Sequence, residues 1–193
     1  MTHVAEEVYS PDQVRDPQQV ARRALVLFAI FGLAVGAPKD VTLAWLKEES
    51  LWDELTPSEL AYVSSASPTR QQHVDASWQS ESILVLLWAL GTVEQMPALN
   101  EQCNASDFQQ VLPPFADVSV SQFIKLATRR SDEVLIDLAD TLLNCHWEAR
   151  DARIHGNPDP SHLDIGVVQE RHRAINWVIG YDGLPWDEVT TDT

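Results

Sequence analysis

The chain has 193 residues, with 13 Lys and Arg against 29 Asp and Glu, a formal net charge of −16 and 45% hydrophobic residues. This length is enough for one domain that buries roughly 70% of the surface of its unfolded chain. The composition excludes a disordered chain, a collagen and a disulfide scaffold. Because nucleic-acid binding depends on neutralising phosphates with Lys and Arg, the charge argues against a direct nucleic-acid partner and favours a basic one.

Two sequence features bear on the compartment. Cys103 and Cys145 lie far apart without a C-x-x-C spacing, so they predict a pair of reduced thiols in a cytoplasmic protein. An apolar run over residues 24–37 is too short to span a bilayer. Acidic residues precede this run, where a cleaved leader would carry positive charge. We interpret the run as a buried core helix and predict no membrane partner.

Helix signals follow one another along the chain. Asp16-Pro17 supplies a cap and a first-turn proline, and the run from Thr56 to Glu59 is a capping box. Ser67-Pro68 opens another helix, Ser131 caps a long one, and Gly180 closes the last. The predicted helices cover approximately residues 20–35, 56–63, 67–91, 131–156 and 163–180.

The rest of the pattern fixes the fold class. No window of strict apolar and polar alternation predicts a strand, and the proline-containing segment 96–120 is expected to be a long irregular connection. We therefore predict an all-α, single-domain bundle of about six to eight helices. The helical domain is expected over residues 20–193, after a partly ordered N-terminal extension at residues 1–19.

Helical periodicity places several ionisable side chains on apolar helix faces. The predicted inward-facing set is Glu81, His146, Arg150, Arg153 and Arg171. Since a lone buried charge costs several kcal/mol, Glu81 is expected to pair with Arg150 or Arg171. The favoured interpretation is a buried polar network that fixes helix packing. The alternative is a small site in which Glu81 and His146 move protons while the arginines hold a phosphate or carboxylate.

Known catalytic and metal signatures do not match the chain. His146-Trp147-Glu148 lacks the spacing of a zinc helix, and no nucleophile elbow, phosphate loop or dinucleotide fingerprint occurs in the sequence. His155 and His162 flank a loop, but two histidines of unknown geometry are a weak metal signal. We therefore assign no catalytic, cofactor-binding or metal-binding residue.

The negative charge is concentrated in parts of the chain. No Lys or Arg occurs between Gln71 and Ile124, and none follows Arg173. Such an excess can simply keep a protein soluble, or it can imitate nucleic-acid phosphates and steer a basic protein onto the surface. The candidate contacts form two patches: Glu48, Glu49, Asp53, Glu54 and Glu59 around Trp52, or Asp182, Asp187 and Glu188 around Trp186.

Several motifs together resemble one bacterial family. They are Trp78-x-x-Glu81, the run from Leu86 to Gly91, His146-Trp147 with Arg150, the run Glu170-Arg171-His172-Arg173-Ala174-Ile175-Asn176-Trp177, Trp186-Asp187 and the closing Thr191-Asp192-Thr193. From about Arg22 to the C-terminus, the chain is similar to the family of unknown function numbered 4272. This resemblance implies a helical single domain and no particular reaction.

Size and charge also resemble a functional type, the small acidic immunity proteins that neutralise antibacterial toxins. We expect a cytoplasmic, non-enzymatic immunity protein whose partner is a basic toxin, with a nuclease delivered by a type VI secretion system as the favoured target. The alternative is a small enzyme or ligand-binding protein that acts on an anionic small molecule through Glu81, His146, Arg150 and Arg171. The sequence indicates neither the identity of the toxin nor the oligomeric state.

Overall fold

The computed structural model describes residues 13–158 and 160–192, and these ranges contain helices, turns and irregular segments but no strand. The predicted all-α fold class is therefore confirmed. Short 3₁₀ turns lie at Trp52–Glu54, Ala105–Gln110, Tyr181–Gly183 and Trp186–Glu188. The α-helices are α1 (Pro17–Ala34), α2 (Lys39–Glu48), α3 (Pro57–Ser64), α4 (Arg70–Ala89), α5 (Val120–Lys125), α6 (Asp132–Ile154) and α7 (Ile165–Ile179).

Side-chain caps explain most of the helix starts. Asp16 accepts a hydrogen bond from the second residue of α1, and Thr56 and Glu59 form the reciprocal capping box that opens α3. Gly180 ends α7 in the left-handed conformation, with φ of 76°. α4 begins at Arg70, later than predicted, because Thr69 and Gln72 form the capping box and Ser67-Pro68 lies outside the helix.

Two helices were not predicted. α2 begins after Pro38 without a side-chain cap, so the start signal of the other helices is missing there. α5 does have one, since Ser119 and Gln122 form a capping box, but the helix is only 6 residues long. Between α4 and α5 the chain is irregular apart from one 3₁₀ turn, as predicted for residues 96–120.

The core is built around α1 and α4. α1 is buried nearly all round from Val20 to Ile30, which confirms a core helix over the first part of the apolar run; residues 35–37 follow the end of the helix. α1 packs against α4, α4 packs against α7, and α7 packs against α6. No helix in the described ranges is long and apolar enough to cross a membrane.

α6 forms the edge of this arrangement. One narrow stripe of α6 is buried, Leu138 and Cys145 beside it are half-buried, and most of the 23-residue helix faces outward. The stripe runs at helical spacing along the side that packs on α7 and consists of Leu135, Ala139, Leu142, His146 and Ala149. An outer helix with one covered side leaves a long surface for other contacts.

The lead-in to α1 is attached to α7. The Arg15 backbone N–H donates to the Val178 carbonyl at 2.9 Å, and the Arg15 guanidinium lies over the Trp177 ring at 4.4 Å. Residues 17–19, assigned by sequence to the extension, belong to the first helix of the domain. Residues 13–16 form the described lead-in, and residues 1–12 of the expected extension lie outside the described residues.

Candidate partner-binding surface

Glu81 and Arg171 form a fully buried ion pair between α4 and α7. Glu81 is 1% exposed and Arg171 0%, and Arg171 Nε donates to Glu81 Oε2 at 2.9 Å. The other Glu81 oxygen accepts the Cys103 backbone N–H at 2.7 Å. This confirms that Glu81 pairs with Arg171 rather than with Arg150.

The remaining N–H groups of Arg171 bind the irregular segment between α4 and α5. Arg171 Nη1 donates to the Pro97 carbonyl at 2.7 Å, and Nη2 donates to the Glu101 carbonyl at 2.9 Å. Every nitrogen of the guanidinium is therefore bonded within the fold. Burial, followed by the nearby Glu81 carboxylate, raises the pKa of the Cys103 thiol to about 12. These contacts fasten the segment 97–103 onto two helices, which supports the packing interpretation.

His146 makes a separate contact with His172 in the interface between α6 and α7. The two Nδ1 atoms are 3.2 Å apart and the rings meet edge to face, with both side chains buried. Burial, and then the charge of Arg150, lowers the pKa of His146. Burial, and then His146, lowers the pKa of His172 to about 4. Both imidazoles are therefore neutral at pH 7, with one Nδ1 donating to the other.

The assignment of Arg150 and Arg153 to the buried network is wrong. Both side chains are exposed on α6. Arg150 lies beside the buried stripe rather than within it, and Arg153 follows the stripe one turn beyond Ala149, its last buried member. α6 has 23 residues and α7 only 15, so helical direction alone does not show where the covering helix ends. Glu81, His146, Arg150 and Arg171 therefore do not meet in one site.

A second buried ion pair was assigned by sequence to the surface. Glu59 is 6% exposed, and both of its carboxylate oxygens accept from Arg23 Nη2, at 2.6 and 2.7 Å. Its placement in the exposed patch is therefore wrong. The capping box holds this side chain against the Thr56 N–H, and Arg23 of α1 covers the same carboxylate. The capping box predicts the first contact, but the burial depends on α1, 36 residues away in sequence, and has no local signal.

In the C-terminal patch, Trp186 and Asp187 make contacts within the fold. Trp186 is 4% exposed, so its assignment as a surface anchor is wrong. Its ring meets Trp177 edge to face at 5.3 Å, and the guanidiniums of Arg23 and Arg173 lie over it at 5.3 and 4.9 Å. The Trp186 ring is stabilised by its burial beside α7. The sequence of the tail does not show that the tail folds back onto α7.

Asp187 connects the tail to α3. Its carboxylate accepts the Ser58 backbone N–H at 3.0 Å and the Ser58 hydroxyl at 2.8 Å. Partial burial alone would raise the pKa of Asp187. The hydrogen bonds from Ser58 and Thr56, together with the charge of Arg173, outweigh burial and lower it below its ordinary value. Asp182 and Glu188, the other acids of this patch, are exposed.

The patch before α3 remains on the surface, apart from Glu59. Glu48, Asp53 and Glu54 are exposed and Glu49 is half-buried. Trp52 is half-buried, and Lys47 Nζ lies over its ring at 4.6 Å. A cation of the chain itself thus occupies one face of the expected anchor.

The exterior is strongly acidic because many of the bases are used within the fold. Arg130 and Lys39 donate to backbone carbonyls, as Arg15 and Arg171 do. In the described part of the chain, five exposed bases face nineteen exposed acids. The exposed bases are Lys47, Arg70, Lys125, Arg150 and Arg153. The exposed acids are Asp16, Asp40, Glu48, Asp53, Glu54, Asp75, Glu94, Glu101, Asp107, Asp117, Asp132, Glu133, Asp137, Asp140, Glu148, Asp182, Asp187, Glu188 and Asp192.

Sequence reasoning missed an exposed apolar ridge on α6. The α6 ridge consists of Ile136, Leu143, Trp147 and Ile154, of which Trp147 is 59% and Ile154 74% exposed. Their spacing of seven, four and seven residues places them along one side of the helix. Exposed charged side chains border the ridge along the same helix: the acids Glu133, Asp137, Asp140 and Glu148, and near its C-terminal end the bases Arg150 and Arg153. An apolar stripe surrounded by charge is typical of a protein-binding surface.

An apolar groove of about 410 Å³ lies beside α1 and α2 and includes the exposed side chains of Val35, Val41 and Phe115. No charged residue lines this groove among the described residues. The described residues also contain no group of three His, Cys, Asp or Glu side chains that could hold a metal ion.

Comparison with known proteins identifies one family. The family model described as Domain of unknown function (DUF4272) matches residues 2–189, nearly the whole chain. No curated protein and no solved structure matches the chain.

Proposed function

We propose that this chain, which belongs to the DUF4272 family, is an immunity protein that binds and neutralises a basic antibacterial toxin. One observation carries the proposal: the exposed acids far outnumber the exposed bases, because the fold uses its arginines internally. The favoured target is a nuclease delivered by a type VI secretion system. The two free cysteines fit a cytoplasmic protein that meets the toxin after its entry.

The charge distribution suits the first step of such binding. A surface of one sign attracts a partner of the opposite sign over about 10 Å at ordinary ionic strength and raises the rate of productive encounter. A nuclease binds phosphates through a basic cleft, so a dense array of carboxylates can occupy the cleft as a nucleic acid would.

Exposed apolar side chains suit the second step. Charge accelerates association, while slow release depends on anchors that become buried in the complex. The α6 ridge provides a tryptophan and three aliphatic side chains beside acids on the same helix. Both components of a tight inhibitory surface therefore occur on this chain.

The test is co-expression with a catalytically inactive form of a toxin encoded beside the gene for this chain. We expect a complex that survives affinity purification and whose association slows steeply as salt is raised from about 50 to 500 mM. With the active toxin, the chain should restore growth. A variant with Glu48, Asp53 and Glu54 changed to Gln separates a role of that patch from the overall charge. Absence of both a complex and growth rescue would overturn the proposal.

A further inference from the structure

A pocket of about 340 Å³ lies between α6 and α7, directly beside the α6 ridge. Its apolar walls are the side chains of Val14, Ile136, Leu143 and Ile179. Ile136 and Leu143 belong to both the pocket wall and the ridge. A partner that covers this end of the ridge must therefore pass over the mouth of the pocket.

The polar groups of the pocket give it negative charge. Asp140 and Asp192 line it and are exposed, and none of its described lining residues is Lys or Arg. One oxygen of Asp192, Oδ2, accepts a hydrogen bond from the Thr190 hydroxyl at 2.9 Å. His172 and Asn176 also line it, but both are buried and already bonded, to His146 Nδ1 and to the Thr190 carbonyl. His172 is uncharged at neutral pH because its pKa is lowered to about 4. The charge of the pocket is therefore set by the two carboxylates.

This combination matches the shape of a long cationic side chain. The methylenes of Arg or Lys pack on apolar walls while the charged end remains near solvent. Carboxylates bind the guanidinium or ammonium through charge-assisted hydrogen bonds. The volume lies at the small end of ligand pockets, which favours one side chain over a larger molecule.

We propose that the pocket between α6 and α7 receives an arginine or lysine side chain of a basic protein partner, whose neighbouring apolar surface covers the α6 ridge. The identity of the partner rests on the proposed function. The chemistry of the pocket does not, so each can fail without the other.

The pocket is tested without a partner by titrating the ¹⁵N-labelled chain with N-acetyl-L-arginine amide and following amide chemical shifts. We expect shifts at Leu143 and Ile179 that N-acetyl-L-citrulline amide, its uncharged isostere, does not produce. Asp140→Asn should weaken the binding about threefold, as for the loss of one exposed ion pair. Asp137→Asn, which removes the same charge from α6 outside the pocket, should leave it nearly unchanged. Equal effects of the two ligands, or of the two variants, would overturn the proposal.

The ridge is tested with the toxin captured in the co-expression experiment. Trp147→Ala and Asp140→Lys should each raise the dissociation rate at least tenfold, as expected for a central anchor. Phe115→Ala is the matched control, because Phe115 is 62% exposed but lies in the groove beside α1 and α2. A complex that tolerates the first two changes would refute the docking site while leaving the immunity function intact, and failure on the control would place the contact at the groove beside α1 and α2 instead.

Discussion

Removal of Glu81 should cost much of the stability of the domain. Glu81→Ala leaves the Arg171 guanidinium charged, 0% exposed and without its carboxylate, and leaves the Cys103 N–H without its acceptor. Breaking a buried pair by removing one partner costs about 3–5 kcal/mol. The free N–H adds part of the ~1–3 kcal/mol of an unsatisfied group, but the two effects overlap. We expect a loss of about 4 kcal/mol, against a typical total of roughly 5–15 kcal/mol.

A double replacement distinguishes the ion pair from simple loss of packing. Glu81→Leu with Arg171→Met removes both charges and keeps the volume apolar, so it should cost less than Glu81→Ala alone. Some loss should remain, because the Pro97 and Glu101 carbonyls lose their donors. We expect a coupling of at least about 2 kcal/mol between the two positions.

The measurement is urea unfolding followed by far-ultraviolet circular dichroism, with the m-value checked for each variant. Glu54→Ala is the control, because the Arg22–Glu54 pair spans 3.6 Å and both side chains are over a third exposed. It should change the free energy of unfolding by less than about 0.5 kcal/mol. A loss below about 1 kcal/mol for Glu81→Ala would refute this account. It would also be refuted if the double variant lost as much stability as the single variants Glu81→Leu and Arg171→Met added together.

Three further outcomes are expected. Folding lowers the pKa of His172 from 6.5 to about 4, so as the pH falls the unfolded chain binds a proton at this residue before the folded chain does. The free energy of unfolding therefore has its full value with respect to His172 above pH 6.5 and falls by about 3 kcal/mol as the pH drops to 4. Urea midpoints over this range should decline less in His172→Gln. Iodoacetamide at pH 8 should modify Cys103 more slowly than Cys145 by peptide mass spectrometry, since burial raises the pKa of Cys103 to about 12; equal rates would contradict this. Gly180→Ala should lower the melting temperature more than Gly156→Ala. Both glycines have positive φ, but only at Gly180 would a Cβ lie 2.2 Å from a backbone carbonyl oxygen, that of Gln13. Equal losses would show that the segment before α1 moves away to make room for the Cβ.

Local signals in the sequence were sufficient for most helices and for the central ion pair. Caps are short-range features, so Asp16, Thr56 and Gly180 could be identified without knowing the fold. Glu81 and Arg171 were found because each lies on a part of its helix that other helices cover, although in α4 that part, residues 81–87, is buried all round rather than on one face. Helix periodicity is reliable under that condition.

The errors arose where burial depends on distant parts of the chain. Arg153 points in the buried direction but extends beyond the helix that would cover it. Trp186 and Asp187 depend on the return of the tail to α3 and α7, and Asp187 contacts Ser58 across 129 positions. No short-range pattern encodes such a contact. The α6 ridge was missed for the same reason, because the exposure of an apolar side chain on an outer helix depends on which side the neighbouring helix covers.

α7 joins three segments that lie outside the α-helices. Arg15 of the lead-in donates to the carbonyl of Trp177 within α7. Arg171 holds the 97–101 segment, and Arg173 and Asn176 hold the tail through the carbonyls of residues 186 and 190. If α7 detaches, all three lose their anchors together. Native-state hydrogen exchange should then give these distant segments one common opening free energy, so that they behave as a single foldon.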